Sequence, residues 1–195
     1  MYAYLNGKFT HKSPAQVTVD VNGIGFELNI SLNTFSAIQN KEEGLLYTYL
    51  QVKEDGHVLF GFFDRQEKEM FLLLIGVSGV GASTARMMLS SMKAEEISRA
   101  ILQGNVRLLE SVKGIGKKTA ERLVLELRDK VNKNITPSVS TSNSMAVSID
   151  EDAVNAMVAL GISRNVAEQT LQKIVSAEPH TGSLEELIKK ALRAI

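Results

Sequence analysis

Two short stretches of this 195-residue chain carry residue types at a spacing suited to gripping an anion. Val77-Ser78-Gly79-Val80-Gly81-Ala82-Ser83-Thr84-Ala85 and Val112-Lys113-Gly114-Ile115-Gly116-Lys117-Lys118-Thr119-Ala120 are copies of one pattern, set 35 residues apart. The glycines permit a sharp turn and leave no Cβ between the backbone and an approaching ligand. The apolar residue between them, Val80 or Ile115, can anchor the turn in a core. The helix that follows offers unpaired N–H groups and the positive end of its dipole, which suits a phosphate. Lys117 and Lys118 add charge there, and Arg122 lies one turn on along the same side. This is the pattern of a helix-hairpin-helix that reads nucleic-acid backbone, present twice. Nothing in it addresses base edges, so the expected binding follows shape rather than sequence. The plain alternative is a pair of tight helix turns. Duplication and the Lys117-Lys118 pair favour DNA.

Other chemistries fit poorly. A phosphate-cradling nucleotide loop needs Gly-x-x-x-x-Gly-Lys-[Ser/Thr], but Ser111 and Lys118 occupy the positions that require Gly and Ser or Thr. The three histidines, His11, His57 and His180, have no ligand spacing. The absence of Cys excludes disulfides and thiol chemistry. Glu54-Asp55 is an acidic pair at an expected hairpin tip, where acids are ordinarily solvated turn residues. As a nuclease metal site it lacks further clustered ligands. No catalytic residue, metal or cofactor is expected.

The elements that must hold the glycine turns fall into blocks. Residues 1–63 read as strands. Gln16 to Val21 and Ile24 to Ile30 alternate apolar and polar around Asn22-Gly23, a tight-hairpin signal. A second hairpin is expected around Glu54-Asp55-Gly56. About five short strands in this length point to a small OB-type barrel. At Asp64 the apolar spacing becomes helical, and residues 64–133 form the block that contains both glycine motifs. Residues 134–148 contain no charge and are dominated by Ser, Thr and Asn, which predicts a flexible linker spanning about 20 Å. Residues 149–195 read as three short helices. Asp150, Glu151 and Asp152 are expected in a first turn, Gly161 as a stop, Ser163 and Ser183 as caps. The expected core there is Val154, Met157, Leu160, Leu171, Ile174, Leu187, Ile188 and Leu192.

Charge is shared unevenly. The whole chain is neutral, with 22 basic and 22 acidic residues. The barrel block and the last block each carry −2, and the block with the glycine motifs carries +4. A uniformly basic coat is therefore excluded but a local basic face is not. Hydrophobic residues make up 44%, enough for real cores. No secretory leader is apparent, and no stretch approaches the ~18 uninterrupted apolar residues of a membrane span, so a cytoplasmic protein is expected.

In order and size these blocks resemble the RuvA family. The most specific stretches are Lys113 to Leu123, Glu54-Asp55 ahead of Leu59-Phe60-Gly61-Phe62, and Ala159-Leu160-Gly161-Ile162. The resemblance implies an α+β multidomain chain with an OB-fold barrel, a tandem helix-hairpin-helix domain and a three-helix UBA-like bundle. It implies a non-catalytic subunit that recognises Holliday junctions in recombination, DNA repair and the SOS response to DNA damage. Such subunits form homotetramers, sometimes octamers; the hexameric ATPase RuvB docks on the third domain and RuvC resolves the junction. Carried over, backbone contacts fall on Gly79, Gly81, Gly114, Gly116, Lys117, Lys118 and Arg122. Glu54 and Asp55 match an acidic pin at the crossover. Met157, Leu160, Ile162 and Leu192 match motor-docking positions. The alternative is a generic helix-hairpin-helix duplex binder in repair, with another protein partner. Two departures stand out. Tyr4 replaces a usual basic residue in the first strand, and Ala82-Ser83 replaces Pro-Lys after the first hairpin. Arg86 is the candidate to supply the missing cation.

Overall fold

The computed structural model describes residues 2–54, 56–135, 145–177 and 183–194, which fall into two units, Met1–Pro137 and Ser138–Ile195. Asp55, His180 and linker residues 136–144 lie outside the described residues.

The first unit opens with a closed barrel in the order β1-β2-β3-β5-β4. Its strands are β1 (Tyr4–Ser13), β2 (Gln16–Val21), β3 (Ile24–Ile30), β4 (Glu43–Lys53) and β5 (Gly56–Phe62). Alternation does the sorting: Val17 and Val19 of β2, Leu28 and Ile30 of β3, and Leu46 of β4 point inward and are buried. Asn22 (φ 52°) and Gly23 (φ 86°) make the expected turn, and Asp20 Oδ1 accepts from the Gly23 N–H at 3.0 Å. Closure comes from a parallel pairing of β3 with β5, Asn29 opposite Phe60 and Ile30 opposite Gly61. A parallel pair needs a crossover, and here it contains a helix, α1 (Leu32–Ile38), capped by Ser31, whose Oγ accepts from the Thr34 N–H at 3.0 Å.

Five helices follow: α2 (Arg65–Ile75), α3 (Ala82–Ser91), α4 (Ala94–Leu102), α5 (Val106–Glu110) and α6 (Lys117–Ile135). The switch at Asp64 has a local cause, since its carboxylate accepts from the Glu67 N–H at 2.7 Å and caps α2. The seam between barrel and helices is aromatic. Phe71 of α2 meets Phe60 and Phe62 of β5 at centroid separations of 5.1 and 4.9 Å. Beside it lies a buried carboxylate, Glu67, which accepts from the hydroxyls of Ser31 and Thr34. Thr34 Oγ1 in turn accepts from the Phe63 N–H at 3.0 Å. Burial raises the Glu67 carboxyl above the ordinary value of 4.5, and the hydroxyl and amide donors only partly offset this.

The second unit holds α7 (Met145–Ala159), α8 (Arg164–Ala177) and α9 (Leu184–Arg193). Gly161 at φ 93° ends the first helix, with the Ile162 N–H returning to the Met157 carbonyl at 3.1 Å. Ser183 caps α9 through its side chain. Two expectations need correction. Helix α7 begins at Met145, inside the segment read as linker, because no Gly or Pro interrupts the run from Met145 to Ile149. Asp150, Glu151 and Asp152 consequently sit beyond its first turn. The core is also built differently. Ala153, Ala167 and Ala191 are buried with Val154, Met157, Leu171 and Leu187, whereas Leu160 and Leu192 stand outside at 63% and 44% exposure. Small residues let the three helices approach, and Leu160 and Leu192 are left at the surface.

Candidate nucleic-acid interface

The two glycine turns have one backbone. In the first, the Val77 N–H returns to the Leu74 carbonyl at 3.1 Å and the Val80 N–H to the Val77 carbonyl at 3.0 Å. In the second, Val112 returns to Leu109 at 3.3 Å and Ile115 to Val112 at 3.0 Å. Gly79 has φ 93° and Gly114 φ 95°, left-handed values that only glycine adopts without strain. Val77, Val80, Val112 and Ile115 are all buried, so each turn is pinned from beneath and its glycine edge stays outside. Each helix then starts on a glycine: the Ala85 N–H bonds the Gly81 carbonyl and the Ala120 N–H the Gly116 carbonyl, both at 2.9 Å.

Gly81 and Gly116 have no side chain to cap these helices. Among the described residues, the N–H groups of Ala82, Ser83 and Thr84, and of Lys117, Lys118 and Thr119, make no hydrogen bond. These are orphan donors at positive dipole ends, an arrangement whose chemistry suits an anion. The copies also pack reciprocally. A Cβ on Gly79 would lie 3.7 Å from Thr119 Oγ1, and one on Gly114 would lie 3.6 Å from Thr84 Cγ2. Thr84 and Thr119 occupy the same place in the repeat, so each copy sets its threonine over the other's glycine, as an internal two-fold requires. Sequence reasoning missed this pair, although both threonines were visible in the repeat.

The side chains break that symmetry. Lys117 and Lys118 are exposed at the second turn. At the first, Ala82 is buried and Ser83 exposed. Arg86, the candidate for the missing cation, is held at the barrel: Nη1 donates to the Ala15 carbonyl at 3.0 Å and to Asn29 Oδ1 at 2.9 Å, tying α3 to the barrel. Arg122 reaches across copies, Nη1 donating to the Ser78 carbonyl at 3.2 Å, while Nε stands 3.7 Å from Glu126.

The remaining candidates lie on other elements. Glu54 is exposed at the β4–β5 turn, where Lys53 pairs with Gly56. Tyr4 is exposed on β1. In the second unit Leu160 and Leu192 are exposed and Ile162 is half-buried. Met157 is corrected from contact to support: it is fully buried in the three-helix core, and helical spacing alone does not separate a core position from its neighbour on the rim.

Comparison with known proteins agrees with this architecture. Residues 1–61 match the family described as RuvA N terminal domain, residues 71–129 the SAM-like helix-hairpin-helix tandem, and residues 149–195 the RuvA C-terminal domain. The chain is 45% identical over 197 residues to a Cytophaga hutchinsonii protein, covering 99% of both chains. It is 46% identical over 198 residues to one from Christiangramia forsetii and 41% over 203 residues to one from Bacteroides thetaiotaomicron, covering 100% of each chain. All three relatives bear the name Holliday junction branch migration complex subunit RuvA.

The chain belongs to the RuvA family. An OB-type barrel, a tandem helix-hairpin-helix and a separate terminal bundle are therefore RuvA architecture in this chain. Among the described residues, no helix is long and apolar enough to cross a membrane.

Proposed function

We propose that this chain is the junction-binding subunit of a branch-migration machine, a non-catalytic scaffold that holds four-way DNA and lends it to a separate motor. The observation that carries this reading is the pair of equivalent, uncapped helix starts on glycine turns, related by reciprocal packing. Two such sites at fixed separation select two phosphates on one duplex arm by geometry alone. Gly79, Gly81, Gly114 and Gly116 allow the backbone to approach the phosphates, and Lys117 and Lys118 supply charge.

A homotetramer would present four such pairs, one per arm, and a second tetramer on the opposite face would make an octamer. Glu54 and Asp55 from each subunit would then meet near the crossover, where carboxylates repel phosphates and favour open bases. In the terminal bundle, exposed Leu160 and Leu192 with half-buried Ile162 form the apolar surface we assign to the RuvB ATPase. RuvC would act on the same held junction, and the setting is the cytoplasm.

The deciding experiment is a gel-shift series with a four-way junction and a linear duplex of equal length. Tighter binding to the junction is expected; equal affinity would leave a generic duplex binder. Removing residues 149–195 should spare junction binding and abolish ATP-driven migration with RuvB. Migration that survives would overturn the motor assignment.

A further inference from the structure

From a hydrogen bond that crosses between the repeats, we infer that Arg122 is a positioning residue for the first hairpin. This rests on reading both glycine turns as backbone grips. Ser78 immediately precedes Gly79, and its carbonyl accepts from Arg122 Nη1 at 3.2 Å. In a trans peptide the carbonyl and the following N–H point opposite ways. Holding the Ser78 carbonyl toward α6 therefore turns the Gly79 N–H away from it, and that N–H makes no hydrogen bond among the described residues. Arg122 thus fixes the aim of an outward donor it never touches.

The brace runs one way. Met87 occupies the place in the first repeat that Arg122 holds in the second, and a thioether has no N–H to give the carbonyl of Lys113, the counterpart of Ser78. The first hairpin is also the one without exposed lysines after its glycines. Its grip depends on well-aimed neutral amides, so it is the hairpin that gains most from an external brace. Arg122 Nε faces Glu126 at 3.7 Å, and its Nη1 is engaged by the Ser78 carbonyl. Its main effect on binding is through geometry. The first grip then takes a hydrogen-bonded brace from the second repeat, whereas the second takes only the packing of Thr84 from the first.

The test is a double-mutant cycle on the full chain, read as junction affinity and its salt dependence. In the wild type, Gly79→Ala should weaken binding by about five-fold or more; in an Arg122→Ala background it should weaken it by about two-fold or less. Gly114→Ala should multiply independently with Arg122→Ala. Arg122→Ala alone should lower affinity while leaving the salt slope within a fraction of one phosphate contact, and Lys117→Ala should remove about 0.9. Amide resonances of the DNA-free chain supply a second readout that survives any folding defect of the glycine variants: Arg122→Ala should shift the Gly79 amide, whose peptide carbonyl loses its donor, and leave Gly114 unchanged. Independent multiplication at Gly79, a slope loss of about 0.9 for Arg122→Ala, or an unmoved Gly79 resonance would each overturn the brace. If wild-type chain showed no preference for junctions, the proposed function would fall, and the resonance result would still judge the brace.

Discussion

The two hairpins share a backbone, buried anchors and a matching threonine, and differ in charge. Their turns return to the same relative carbonyls, their glycines sit at φ 93° and 95°, and their helices begin on an uncapped glycine. Yet one presents Lys117 and Lys118, and the other a buried Ala82 and an exposed Ser83. The cation nearest the first turn on its own helix, Arg86, is bound to the barrel. The two copies keep one geometry suited to phosphates, and exposed lysines stand beside the second alone. Geometry and charge are thus separable contributions here, and each can be removed alone.

The largest expected effect is on charge. Lys117→Ala with Lys118→Ala should cut the salt slope of junction binding by about 1.8, twice the value per phosphate contact. A slope that stays put would show that the second hairpin, too, relies on neutral amides. Next comes geometry. Gly79→Ala and Gly114→Ala should each lower folding stability by about 1–2 kcal/mol in denaturant melts, because both force Cβ into a left-handed backbone. Unequal costs would mean that the turns are less alike than their dihedrals. Smaller again is a gain. Ser83→Lys should add about 0.9 to the salt slope, giving the first hairpin what the second already has. No gain would place Ser83 away from the DNA path.

The smallest effect concerns the ground on which both hairpins stand. Burial raises the Glu67 carboxyl, so its protonated form suits the fold better than its charged form. Relative to Glu67→Gln, the wild type should be most stable below the unfolded value near 4.5 and lose that advantage as pH rises through the higher folded value. Thermal melts of both proteins between pH 4 and 7 measure the difference. A constant difference across that range would remove Glu67 as the titrating group.

Much of this was legible in the sequence because it is local. Asn22-Gly23 announced its own turn, Asp64 the switch to helical spacing, and the repeat exposed both glycine corners. What stayed hidden depends on partners distant in sequence. Nothing near Ser31, Thr34 or Glu67 says that they meet, since 36 residues separate Ser31 from Glu67. Helix α1 was missed because its short run looks like a loop between strands. Arg86 looked available because its acceptors, Ala15 and Asn29, lie in another block. Met157 and Leu160 share a helical spacing, and only the docking of α8 and α9 decides which is covered.

The bond from Arg86 to Ala15 and Asn29 has a mechanical consequence. On the proposed reading, tension on a duplex seated at the first glycine corner would pass along α3 into the strands beside it. Those strands belong to a hoop with no loose edge to peel. A tug there would be shared among many ladder bonds, where a single loop would tear.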